Sequence, residues 1–134
     1  MKTCIFGGTF DPPHIGHLLI AQTIIESENF DRLIFLPAYL SPLKQGREMS
    51  SPEKRLKMLD IALINNDNFE ISDFEIKKED ISYTLDSIKY FRDELNIQKK
   101  DLYFLMGSDT LMDFHHWKNP KDILDMCNII VATR

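Results

Sequence analysis

Two histidines three residues apart, His14 and His17, close the stretch FGGTFDPPHIGH at residues 6–17. If residues 14–17 turn helically, both imidazoles lie on one face and can grip the same group. Beside a helix N-terminus, whose unpaired N–H groups and dipole favour anions, two such donors could stabilise charge building on a phosphoryl oxygen. Gly7 and Gly8 permit backbone conformations closed to other residues and a close ligand approach, and Thr9 adds a hydroxyl. Plainer readings exist for the same residues. Gly, Pro and Asp are what any strand-to-helix turn uses, and Asp11 could simply shape that turn. HxxH could bind zinc, but catalytic zinc takes three protein ligands, and only two histidines and one carboxylate lie close in sequence. The spacing is neither GxGxxG nor GxxxxGK[ST], so neither the dinucleotide fingerprint nor the P-loop applies.

The flanking segments must position these residues. KTCIF (2–6) predicts a buried strand, and LLIAQTIIES (18–27) a helix starting near His17, apolar nearly all round and so pressed on a sheet with little solvent face. DRLIFLP (31–37) predicts a second strand, and 38–51 a loop. Ser50 to Glu53 forms a candidate capping box with Pro52 near the first turn, followed by a stripe of Leu56, Leu59, Ala62 and Leu63. FEISDFEI (69–76) alternates as a third strand, and Leu85, Ile88, Phe91 and Leu95 mark one face of a helix from Thr84. DLYFLMG (101–107) predicts a fourth strand, Pro120 to Met126 a short helix, and CNIIVAT (127–133) a fifth strand.

Strands alternating with helices predict a single α/β domain over residues 1–134, a doubly wound, mostly parallel sheet. In the order 3-2-1-4-5 the first and fourth strands are neighbours, and their carboxyl ends flank one crevice where ligands bind. Gly107-Ser108-Asp109 ends the fourth strand. An acidic residue there suits ribose hydroxyls, and a glycine permits close approach of a nucleotide, although Asp109 also reads as the N-cap of a short helical run.

Composition bounds the function. With 43% hydrophobic and 28% charged residues, the chain has the mix of an ordinary globule rather than a disordered segment. A net charge of -5 and a pI near 5.3 argue against broad binding to nucleic acid or anionic membranes. No apolar run approaches the ~20 residues a membrane span needs, and no signal-peptide pattern opens the chain. Cys4 and Cys127 sit in apolar stretches and read as buried thiols of a reducing cytoplasm. Lys44, Arg47 and Arg55 read as solvated charges, with one or two available to neutralise phosphates, and His115 and His116 as surface residues. Trp117, the single tryptophan, reads either as a half-buried core aromatic or as a stacking platform.

GGTFDPPHIGH, its HxGH tail directly after a first strand, closely resembles the signature of the HxGH nucleotidyltransferase superfamily, and in its fuller form that of bacterial nicotinate-nucleotide adenylyltransferases. SPEKRLKMLDIAL (51–63), ISYTLDSIKYFRDEL (81–95) and LYFLMGSDTLMDFHHWKNPKDIL (102–124) resemble later segments of that family in the same order. The resemblance implies a Rossmann-like fold and transfer of the adenylyl group of ATP to nicotinate mononucleotide, giving nicotinate adenine dinucleotide and pyrophosphate. It implies that His14 and His17 are catalytic and contact the ATP phosphates, and that Gly8, Thr9 and Phe10 line the phosphate path. Gly107 and Asp109 would hold the adenosine side, and Lys44, Tyr83, Thr84 and Trp117 the nicotinate nucleotide. Mg²⁺ is expected with ATP, with no metal site in the protein, in a cytoplasmic enzyme that binds neither nucleic acid nor membrane. Homo-oligomerisation stays open.

The chain departs from the family at Leu43, where a histidine is usual, and at Lys118, where a tyrosine is frequent. The family's Ile-Ser-Ser-Thr-x-Ile-Arg segment has no counterpart within these residues, so the resemblance implies a domain cut short at its C-terminal end. Phosphopantetheine adenylyltransferases resemble the first motif but usually differ at His14. A nucleotide-binding module without turnover is the alternative from outside enzymes.

Overall fold

A computed structural model describes residues 1–39, 49–81, 83–112 and 114–132, the side chains of Asp109, Thr110 and His115 excepted. Five parallel strands, β1 (Thr3–Gly8), β2 (Arg32–Pro37), β3 (Phe69–Ile71), β4 (Leu102–Gly107) and β5 (Asn128–Ala132), form one sheet in the order β3-β2-β1-β4-β5. This is the expected Rossmann-like order. The chain winds outward from β1 to β3 and then crosses to β4 on the other side of β1. That reversal sets the switch point between β1 and β4.

Alternation along each strand divides the core. Cys4, Phe6, Leu33, Phe35 and Leu105 point to one face, under α1 (Ile15–Ser27) and α2 (Pro52–Ala62). Ile5, Ile34, Leu36, Phe104 and Met106 point to the other. There they pack with Leu85, Ile88 and Phe91 of α4 (Thr84–Asp93) and Ile123 of α6 (Pro120–Met126). Central strands buried on both faces read as continuous apolar runs, as these do.

Four local expectations are corrected. Helix α1 begins at Ile15, ahead of the expected start, because His14 and His17 cap it. It is also not covered all round: only Ala21 and Ile25 are buried, while Ile15 and Leu19 are exposed. Segment 69–76 is a strand only to Ile71, and Phe74–Lys78 forms a short helix, α3. The Ser72 hydroxyl accepts from the Phe74 N–H at 3.3 Å, and the helical turn carries Glu75 inward to accept from Ser87 Oγ at 2.6 Å. Finally, α2 is capped by Ser51, whose hydroxyl accepts from the Lys54 N–H at 3.2 Å, and not by Ser50. No helix among the described residues is long and apolar enough to cross a membrane.

Candidate active site

Counting on from the Phe6↔Leu105 pair places Gly8 of β1 level with Gly107 of β4. The β1–α1 joint and the start of α5 (Ser108–Met112) therefore rise side by side at the switch point. At the joint, the left-handed conformation falls on Phe10 (φ 52°) and not on a glycine, since Gly7 and Gly8 belong to the regular strand. A bulky residue tolerates that conformation only where its surroundings over-determine it. Here the Phe10 ring is 3% exposed, 5.5 Å from Phe6, 5.4 Å from Phe35 and 5.1 Å from His17, centroid to centroid.

The two histidines hold each other by way of the backbone. His14 is the N-cap of α1, and its Nδ1 accepts from the Gly16 N–H at 3.0 Å. His17, at the third helical position, turns its Nδ1 back to accept from the His14 N–H at 3.0 Å. A backbone N–H can only donate, so both Nδ1 atoms are bare acceptors, and each neutral ring carries its proton on Nε2. The rings stack at 3.8 Å with 24° between planes. The joint thus sets two imidazoles side by side at the positive end of a helix, with the tautomer of each set by main chain. Gly16 is required for close approach, because a Cβ there would fall 2.8 Å from His14 Cε1.

Sequence reasoning missed the residue that anchors this joint. Arg55, expected to be solvated, is wholly buried and, among the described residues, donates to main-chain carbonyls. Its guanidinium reaches Thr9 O at 3.0 Å, Ser50 O and Tyr39 O at 3.1 Å each, and Ala38 O. One side chain therefore ties the segments following β1 and β2 to the start of α2. Burial draws its pKa down, while the Asp11 and Glu53 carboxylates push it back up. Asp11 does more than shape its own turn, since Oδ2 accepts from the Ser50 N–H at 2.7 Å, across 39 positions of chain. An arginine at the second turn of a helix carries no sequence signal of such a role, because its acceptors are carbonyls that only the fold brings together.

Across the switch point, Gly107 faces open space, with nothing within 4 Å of an added Cβ. Helix α5 starts at Ser108, so Asp109 lies inside it and is not its N-cap. Its side chain is outside the description, as is that of His115. Lys44, Leu43 and Arg47 fall outside the described residues. Trp117 is half-buried, edge-on to Phe104 at 5.9 Å and tilted against Phe114 at 5.1 Å. Half-buried Tyr83 is the N-cap of α4 and makes no side-chain cap bond, with Thr84 the first helical residue. The Lys118 Nζ lies 4.5 Å from the centre of the Tyr83 ring, which links the start of α4 to the residue after Trp117. Thr9 is half-buried at the joint, and His116 is exposed. Among the described residues, no three His, Cys, Asp or Glu side chains gather as a metal site.

A strand-to-helix joint with paired imidazoles at the switch point of a 3-2-1-4-5 sheet is the arrangement of this domain, and the chain belongs to the cytidylyltransferase-like family, whose model matches residues 5–134. Among curated relatives it is 42% identical over 130 residues to a "Probable nicotinate-nucleotide adenylyltransferase" of Aquifex aeolicus, covering 97% of this chain and 76% of the relative. A protein of the same name from Clostridium tetani is 42% identical over 134 residues, with 99% and 66% covered. The chain thus spans 76% and 66% of the lengths of these two relatives. The fold is shared with a nicotinic acid mononucleotide adenylyltransferase of Plasmodium falciparum complexed with NaAD. The TM-score is 0.77 at 18% identity, over 98% of this chain and 74% of that one.

Proposed function

We propose that the protein transfers the adenylyl group of ATP to nicotinate mononucleotide, releasing pyrophosphate and forming nicotinate adenine dinucleotide. The observation that carries this reading is the pair of stacked imidazoles at the N-terminus of α1, whose Nδ1 atoms accept from backbone N–H groups. The names of the relatives support the pyridine nucleotide as acceptor.

A 5′-phosphate oxygen of the mononucleotide attacks the α-phosphorus of ATP in line, and the bond to the β-phosphate bridging oxygen breaks. A phosphate is already anionic at neutral pH, so the step needs neither a general base nor a covalent intermediate. The protein's work is positioning and charge stabilisation. His14 and His17 donate to phosphate oxygens, and the first turn of α1 adds its dipole. The main chain of Gly8, Thr9 and Phe10 forms the path wall, held in place by Arg55 and by the buried Phe10 ring. Gly107 leaves room for the adenosine side, with Asp109 for the ribose, and Lys44, Tyr83, Thr84 and Trp117 serve the nicotinate nucleotide. ATP enters as its Mg²⁺ complex. Mg²⁺ prefers oxygen ligands, so triphosphate and water oxygens would hold it, and it would supply neutralisation of phosphate charge.

Pyrophosphate release with ATP and each acceptor tests the reading. Turnover is expected with nicotinate mononucleotide, and His17→Ala should lower kcat by about 10²–10³, the cost of losing one such donor. Equal turnover by the variant removes His17 from the mechanism. A preference for phosphopantetheine overturns the acceptor assignment.

A further inference from the structure

We infer that Glu75 is a positioning residue for the mononucleotide: through Ser87 it fixes the start of α4, and with it Tyr83 and Thr84. This rests on the acceptor proposed above. Glu75 is 7% exposed and Ser87 is fully buried, and the Ser87 hydroxyl donates to Glu75 Oε2 at 2.6 Å. An apolar pair of similar volume would fill the same space without the penalty that threatens any buried polar group left unpaired. What a buried, hydrogen-bonded pair adds is direction, because its bond is made in one arrangement only.

Direction is what this part of the fold requires. The apolar face of α4, with Leu85, Ile88 and Phe91, is held to the sheet by contacts that have none. Tyr83, the N-cap of α4, makes no side-chain cap bond that would fix the first turn locally. Helix α3, by contrast, leaves the sheet at a defined point, where the Ser72 N–H donates to Phe35 O of β2 at 2.9 Å. From there α3 meets α4 three times. Glu75 accepts from Ser87, the Lys78 ammonium lies 3.0 Å from Asp86 Oδ2, and the Phe74 ring stacks on Tyr90 at 4.1 Å with 16° between planes. The ion pair is about a third exposed on each side and so contributes little, and stacked rings can slide. Of the three links, the Glu75 bond is the one that is both buried and directional. Its carboxylate also stands beside the first turn of α4, where the helix dipole favours an anion.

Steady-state kinetics of the wild type, Glu75→Leu, Glu75→Gln and Ser87→Ala test this, with each variant's folding checked by urea titration. Glu75→Leu should raise KM for nicotinate mononucleotide about tenfold and leave KM for ATP within about twofold. Glu75→Gln keeps an oxygen that can accept from Ser87, so most of the loss should be recovered. Ser87→Ala should repeat the Glu75→Leu split, and combining the two should add little, as expected for partners in one bond. In the unliganded Glu75→Leu protein, amide hydrogen exchange in the first turn of α4 should quicken, a readout that does not depend on the acceptor. A mononucleotide KM that is unchanged, KM values that rise equally for both substrates, or unchanged exchange overturns the inference and leaves the adenylyltransferase reading intact. If Glu75→Leu does not fold, Ser87→Ala decides by the same criteria. A wild type that turns over phosphopantetheine and not nicotinate mononucleotide overturns the acceptor and the inference together.

Discussion

The two halves of the switch point are built in different ways. At the β1–α1 joint, polar contacts dominate: Arg55 holds carbonyls from three segments, Asp11 reaches Ser50, and the two histidines exchange caps with the backbone. Across from it, the described part of residues 107–118 is held by aromatic edges and one cation on a ring, beside a glycine that faces open space. The difference matches what each side would have to recognise. A phosphate accepts directional hydrogen bonds, and donors fixed before it arrives cost nothing to reorganise. A pyridine ring offers faces, which stacking accommodates over a range of positions. The contrast suggests that rigidity is concentrated where charge would develop.

Removing the anchor of the polar side should have the largest effect. Arg55→Met leaves four carbonyls without their donor and is expected to cost about 3–5 kcal/mol in a urea titration. A loss below about 1 kcal/mol would mean that other contacts hold the joint. On the aromatic side, Trp117→Ala should cost about 2 kcal/mol, less than a fully buried aromatic because the ring is half-buried. It should raise KM for the mononucleotide far more than KM for ATP, and equal changes in the two would erase the proposed division of labour.

Two glycine substitutions sharpen the same contrast. Gly16→Ala pushes a methyl into the His14 ring and disturbs the cap, so about 1 kcal/mol of stability and a larger share of kcat should be lost. Gly107→Ala meets no protein atom and should leave stability within about 0.5 kcal/mol, while raising KM for ATP if the nucleotide lies against that position. The core beneath both halves responds to pH. Burial pushes the Cys4 thiol up to about 12 and Cys127 up to about 11, with nearby cationic groups opposing weakly. A raised thiol pKa stabilises the fold below the unfolded value and is lost above it. Unfolding free energy should therefore decline as pH climbs from about 9 through 11 to 12, and alkylation at pH 8 should be slow until the chain is denatured.

Much of this was legible in the order of residues. Apolar runs of strand length, spaced by helical stripes, specify a parallel sheet because only that arrangement buries strands on both faces. HxxH spacing brings the two imidazoles together, and the structure stacks them, but with His14 as the extended N-cap of α1 rather than on a helical face. Other features were not local enough to read. Histidine is not among the favoured N-caps, so the early start of α1 could not be inferred. The strand signal of FEISDFEI failed after Ile71 because burial of Glu75 against Ser87, on another element, outweighed alternation.

What the sequence determined by itself is the fold class and the identity of the paired histidines, since these depend on periodicity and spacing within short windows; the strand order was implied only by the family resemblance. Only the tertiary structure decided that Arg55 is an internal clamp, that Phe10 carries the left-handed turn, and that Lys118 rests on Tyr83. Each of those depends on groups far apart in the chain meeting at one point, where burial and unmatched hydrogen-bond partners, rather than local propensity, set the energy.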